Sequence, residues 1–183
     1  MSYREPAVSE HRSEERGEQM RHRVVVLGVG GEYRRDDAVG LAVAAEVARQ
    51  APPGVAVHAT DGEPTRLLEA WAGAELAVLI DAVLVPDPPG GVAEPGRVYR
   101  TDLAEVAPAA GSASSHGLGI PEAYALGRVL DRLPARLVVY AVAAADVRPG
   151  LGMSPDVAAA VPGVAAAVLA ECRAVVTDPE APL

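Results

Sequence analysis

The stretch Val24-Val-Val-Leu-Gly28-Val-Gly-Gly-Glu-Tyr-Arg-Arg-Asp36-Asp37-Ala-Val-Gly40 decides how the rest of the chain is read. Its apolar opening predicts a strand over Val24 to Gly28 that is covered on both faces, as in a parallel sheet. The strand empties into a glycine-rich turn, then two carboxylates, then a helix over about Ala38 to Gln50 with Val39, Val43 and Val47 on its buried stripe. Acidic groups are thereby set at the carboxyl end of a strand, where open α/β sheets keep their sites. The plain alternative is capping: Asp is a preferred helix N-cap and its charge suits the positive end of the helix dipole, so at least one of Asp36 and Asp37 is expected to cap that helix. A dinucleotide fingerprint would need a third glycine three residues after Gly30, where Tyr33 stands.

Outward from that stretch, strand-like and helix-like segments alternate, predicting a three-layer α/β/α fold around a twisted, mostly parallel five-stranded sheet with one short antiparallel edge strand. Val55 to Thr60 reads as a second strand, Glu63 to Trp71 as a short helix with Leu67, Leu68 and Trp71 inward, and Glu75 to Val85 as a third strand. After a loop over Pro86 to Pro95, the polar segment Gly96 to Arg100 suits a sheet edge. A helix from about Ile120 to Leu133 and a strand from Leu137 to Ala143 follow. Ser154-Pro155-Asp156 then opens the last helix, with Ser as N-cap, and Pro162 is expected to kink or split it.

The domain is expected over residues 22–176, between a disordered extension at 1–21 and a tail at 177–183. Formal net charge is −9 with no basic patch, which argues against nucleic acid and anionic membranes as partners. Residues 1–21 lack the apolar centre of a signal peptide, and the longest apolar run, Val157 to Ala170, is broken by Pro162-Gly163, so a soluble, cytoplasmic protein is expected; a monomer is the simple expectation beside it. The single Cys172 excludes an internal disulfide and reads as a small core residue.

Asp81 is the most anomalous residue, interrupting Leu76-Ala-Val-Leu-Ile80 and Ala82-Val-Leu-Val85 near the end of the third strand. A carboxylate buried there must be hydrogen-bonded, paired, metal-bound or protonated, and bonding to neighbouring backbone amides is the plain reading. His116 lies in the loop Gly111-Ser-Ala-Ser-Ser-His-Gly-Leu-Gly119, where a histidine taken alone is a surface residue more often than a ligand. Yet the ends of strands one and three and the loop after strand four converge in a doubly wound sheet, which would bring Asp37, Asp81 and His116 together. Two carboxylates and an imidazole, with no thiolate, suit nickel, zinc, manganese or iron better than copper(I) or an iron–sulfur centre. Three protein ligands would leave open positions on the ion, and a hydrolase follows naturally.

The arrangement resembles the hydrogenase maturation proteases, whose pattern runs strand, Gly-x-Gly-Asn, a short spacer, Asp-Asp or Asp-Glu, then Gly three residues on. Gly28-Val-Gly30 and Asp36-Asp37-Ala-Val-Gly40 fit it, as do Thr60-Asp61-Gly62, Asp81, Ser115-His116-Gly-Leu118 and Gly152-Met-Ser-Pro155, over roughly residues 23 to 175. The resemblance implies an endopeptidase that removes the C-terminal extension of a hydrogenase large-subunit precursor. It further implies nickel as the ion, supplied by the substrate, though another divalent metal is possible, with Asp37, Asp81 and His116 as ligands and catalytic centre and no Ser or Cys nucleophile. This chain departs from the pattern at Gly31, where the family usually has Asn. It departs again after strand five, where a family Glu is replaced by Ala143-Ala-Ala-Asp146, leaving Asp146 a shorter substitute or a surface acid. Two other readings stand beside it: a non-catalytic escort that recognises the metal centre, and a nucleotide-binding oxidoreductase with Asp61 as a ribose-binding acid.

Overall fold

The computed structural model describes residues 23–84, 94–102 and 119–177. The strands are β1 (Val24–Val29), β2 (Val55–Thr60), β3 (Leu76–Val83), β4 (Val98–Asp102) and β5 (Arg136–Ala143). They form one sheet in the order β2-β1-β3-β5-β4, in which only β4, at an edge, runs antiparallel to its neighbour. The helices are α1 (Val39–Ala48), α2 (Pro64–Trp71), α3 (Gly119–Leu130) and α4 (Pro155–Val176), with a 3-10 turn over Arg35–Ala38 leading into α1. This is the α/β architecture that the alternation of segments predicts.

All six residues of β1 are buried because both faces of the sheet are covered. Val24 and Val26 point into a core closed by α1 and α4, with Val43, Val47, Val168 and Leu169. Val25, Leu27 and Val29 point into a second core closed by α2 and α3, with Leu67, Trp71, Ile120 and Ala123. The side-chain period of two along each strand therefore feeds two separate cores. From β1 the chain crosses one face to β2, then crosses the other face to β3 on the far side of β1. The winding thus reverses between β1 and β3, and the crevice at their carboxyl ends is the switch point.

Two helix ends differ from expectation. Of the kink or split expected at Pro162, the split does not occur: α4 continues through it for 22 residues, and by length and composition alone is apolar enough to cross a membrane. Pro162 and Gly163 lie on its exposed side, where the carbonyl that loses its N–H partner, that of Ala158, can be hydrated. The opposite side, with Val157, Val164, Val168 and Cys172, is core. Helix α3 stops at Leu130 because Asp131 turns left-handed, φ 53°, and Arg132 N–H closes back on Gly127 O at 2.9 Å. Residues 1–22, 85–93, 103–118 and 178–183, and with them the expected N-terminal extension, most of the expected loop at 86–95 and most of the expected tail, lie outside the described residues.

Candidate active site

The glycines of the opening motif serve backbone packing. A methyl group on Gly40 would run into the carbonyl oxygens of Val29 and Ile80, and one on Gly28 into the carbonyl of Gly40 and the side chain of Ala44. The first turn of α1 therefore sits directly on the ends of β1 and β3. This accounts for Gly28 and for the Gly three residues after Asp37 without a phosphate, and the 3-10 turn that bears Asp37 packs against the strand that bears Asp81.

Neither Asp36 nor Asp37 caps α1, contrary to expectation. The helix is entered through the 3-10 turn, whose amides already have main-chain acceptors: Arg35 N–H bonds Gly150 O, Asp36 N–H bonds Asp146 O and Asp37 N–H bonds Arg34 O. Both side chains are fully buried, and they reach different partners. Asp37 Oδ2 accepts Gly31 N–H at 2.9 Å, with Arg34 Nε at 3.8 Å. Asp36 instead reaches across the molecule to the β5–α4 loop. Its Oδ2 accepts the N–H groups of Ala145 and Asp146 at 2.9 Å each and the Ser154 hydroxyl at 3.0 Å, and its Oδ1 accepts Ser154 N–H at 2.6 Å. Ser154 does stand at the N-cap position of α4, but its hydroxyl serves this charged acceptor and makes no cap bond.

Gly31, at the first departure from the family pattern, is where the backbone meets Asp37. A Cβ there would lie 3.1 Å from Asp37 Oδ2 and 3.2 Å from Arg34 Cδ, so a side chain at this position would press on both. Glycine lets the carboxylate seat closely on the Gly31 amide.

Asp81 is buried at the end of β3, one residue beyond the last pairing with β1, and faces Ala141 of β5 in register. Its Oδ1 accepts Ala82 N–H at 2.8 Å. The structure thus sets the turn of Asp37 and the strand end of Asp81 on the two sides of the switch point. His116, with Ser114 and Ser115, lies outside the described residues. Among the described residues no group of three His, Cys, Asp or Glu side chains gathers in a way that could hold a metal ion.

Asp146, at the second departure, is neither a buried acid nor an isolated surface one. It binds Arg148 through both carboxylate oxygens, at 2.9 and 2.8 Å, and lies 3.3 Å from Arg35 Nε. The Arg148 side chain and main-chain N–H, with Arg35, hold its carboxyl well below the usual carboxylate range. Cys172 is fully buried in the α4 core, and burial pushes its thiol up to about 11, so it offers no thiolate nucleophile. At the end of β2, Asp61 is exposed, bonding Glu63 N–H at 3.3 Å and pairing with Arg66 at 3.4 Å. Glu63, not singled out in the sequence, caps α2 by accepting from Thr65 and Arg66 N–H.

Fold and carboxylates together define an α/β protein whose switch point is built around acidic oxygens brought from distant segments. The sequence model of the hydrogenase maturation proteases, HycI, matches residues 49–171, a span that includes Asp81 and His116 and begins after Asp37. Among solved structures, the fold is similar to the hydrogenase maturating endopeptidase HybD from E. coli, at 23% identity over 83% of this chain and 93% of that one, TM-score 0.66. It is similar to an endopeptidase from Escherichia coli in solution, at 22% identity over 83% and 93%, TM-score 0.68. The NiFe hydrogenase maturation protease HybD from Thermococcus kodakarensis is likewise similar, at 25% identity over 82% and 99%, TM-score 0.61. No curated protein matches the sequence. The chain belongs to the hydrogenase maturation protease family, and is accordingly an endopeptidase of hydrogenase maturation.

Proposed function

We propose that this protein removes the C-terminal extension of a nickel-loaded hydrogenase large subunit, and that Asp37, Asp81 and His116 engage the nickel already held by that substrate. The observation that carries the reading is the pair of buried carboxylates at the switch point, one on the turn after β1 and one at the end of β3. Carboxylate oxygens with an imidazole suit a divalent first-row ion, and a bound ion can polarise a peptide carbonyl. Hydrolysis then adds the elements of water across one peptide bond, giving a carboxylate on the mature subunit and an amine on the released peptide. The buried, weakly acidic Cys172 supports a mechanism without a thiol nucleophile.

The reading carries with it a monomer acting in the cytoplasm on another protein. The formal net charge of −9 disfavours nucleic acid and anionic membrane alike. The test is incubation with nickel-loaded and metal-free precursor, followed by intact mass. Loss of the extension from the loaded precursor alone is the expected result. Equal cutting of both would remove nickel from recognition. Stable co-purification without mass loss would replace the protease reading with the escort reading that the Gly31 and Asp146 departures favour.

A further inference from the structure

We infer that Asp36 is a positioning residue: by tying the acidic turn to the β5–α4 loop, it fixes where Asp37 is presented. Two independent features of the structure support this. Asp36 is fully buried yet occupies no helix cap, and its carboxylate takes four hydrogen bonds, all from residues 109 to 118 positions away in sequence. Charge-assisted bonds to main-chain N–H groups are the strong, geometrically specific kind.

The second feature is the backbone between them. Arg35 sits at φ 50°, a left-handed conformation that a side chain rarely adopts, and such strain persists only where the surroundings over-determine it. Here they do. Arg34 forms a parallel bridge with Gly150, Arg35 N–H bonds Gly150 O at 3.0 Å, Gly150 N–H bonds Tyr33 O at 2.9 Å, and Asp36 N–H bonds Asp146 O at 3.0 Å. With Asp36 clamped on one side, the next carboxylate, Asp37, turns to Gly31 on the other. Removing the clamp lets the strained turn relax, and Asp37 moves with it.

The inference rests on the protease reading for its catalytic consequence but not for its structural one, so two readouts are needed. The first is amide hydrogen exchange on the full chain. Asp36→Asn puts an NH2 group against donors that the carboxylate accepted, and should speed exchange about tenfold at Ala145, Asp146 and Ser154 and also at Gly31, whose N–H bonds Asp37 and not Asp36. Unchanged exchange at Gly31 would overturn the positioning role whatever the protein cuts.

The second readout is kcat/KM on nickel-loaded precursor, at a temperature where thermal melts show each variant folded. Asp36→Asn should lose about 30-fold. Ser154→Ala, which removes one of the donors, should lose about threefold, and the double variant should be no worse than Asp36→Asn alone. Leu68→Ala, in the core beneath α2, is the control for lost stability: a lower melting temperature with kcat/KM unchanged. If folded Asp36→Asn keeps kcat/KM within about twofold of the native protein, or Leu68→Ala loses as much, the role fails while the protease reading stands. If the native protein does not cut, the protease reading fails and the Gly31 exchange result decides the role of Asp36. Should Asp36→Asn not fold, Ser154→Ala against Leu68→Ala decides it by both readouts.

Discussion

At the ends of β1 and β3, carboxylates are fully buried and each accepts main-chain N–H groups; along the β4 edge, they are only partly covered and paired with guanidinium groups. In the second region Arg100 Nε bonds Glu171 at 2.7 Å, Arg136 Nε bonds Asp102 at 2.9 Å, and Arg136 Nη1 lies 3.2 Å from Glu171. The difference is one of stiffness. A main-chain donor is placed by the fold, so Asp36 and Asp37 cannot shift unless the loops shift. An arginine head on a long stem adjusts to its partner, and such exposed pairs contribute at most about 1 kcal/mol each and weaken with salt. The first region sets atoms in place; the second ties α4 to β5 and β4, the two strands on that side of the sheet.

The sharpest way to break the comparison is to remove charge from each region without changing shape. Asp37→Asn and Asp81→Asn should leave the protein folded and lower processing of nickel-loaded precursor by at least about 100-fold. Intact mass over a time course reads this out. Unchanged processing by either variant would strike that residue from the site.

Next in size is the close approach that seats α1 on the strand ends. Gly40→Ala meets two carbonyl oxygens, and since backbone must move, urea unfolding should show a loss of about 3 kcal/mol. Gly163→Ala is its counterpart on the exposed side of α4, where an added Cβ meets nothing within 4 Å. It should gain about 0.5–1 kcal/mol, because helical glycine carries the larger entropic cost. Equal effects at the two sites would mean that propensity, and not contact, governs Gly40.

A good part of this was legible in the sequence. The continuous apolar runs and their spacing give the sheet, its antiparallel edge and the buried faces of α1 and α2, since a strand covered on both sides leaves no other pattern. Asp81 was legible as an anomaly because charge inside an apolar strand has a large desolvation cost. The job of Asp36 was not. Local capping rules assign at least one of the paired acids to the helix, but the donors to Asp36 come from residues 145–154, over a hundred positions away. That Pro162 does not split α4 was not legible for a related reason: whether a lost hydrogen bond matters depends on which side of the helix faces water.

Smaller still is the edge itself. Glu171→Gln removes the acid shared by Arg100 and Arg136, and should lower stability by no more than about 1 kcal/mol, with the loss shrinking in about 0.5 M salt and processing unchanged. A loss that ignores salt would indicate a pair as rigid as those at the switch point, and the contrast between the two regions would collapse.

The smallest effect separates the regions by pH, at Asp146, where main chain and guanidinium meet. The carboxyl is held well below its ordinary value of 3.8, first by the Arg148 side chain and then by the Arg148 N–H, so the folded protein favours the ionised form more than the unfolded chain does. That preference stabilises fully above the unfolded value, starts to shrink as pH falls past it, and is gone only below the depressed folded value. Melting temperatures of the native protein and Asp146→Asn should therefore differ by a constant amount between about pH 7 and 5, and converge below about pH 4. Because Asp146 is partly solvated and paired with an exposed arginine, added salt should narrow the gap at neutral pH as well. A gap that widens on acidification would mean that Asp146 is held in its neutral form, and its two bonds to Arg148 would have to be reassigned.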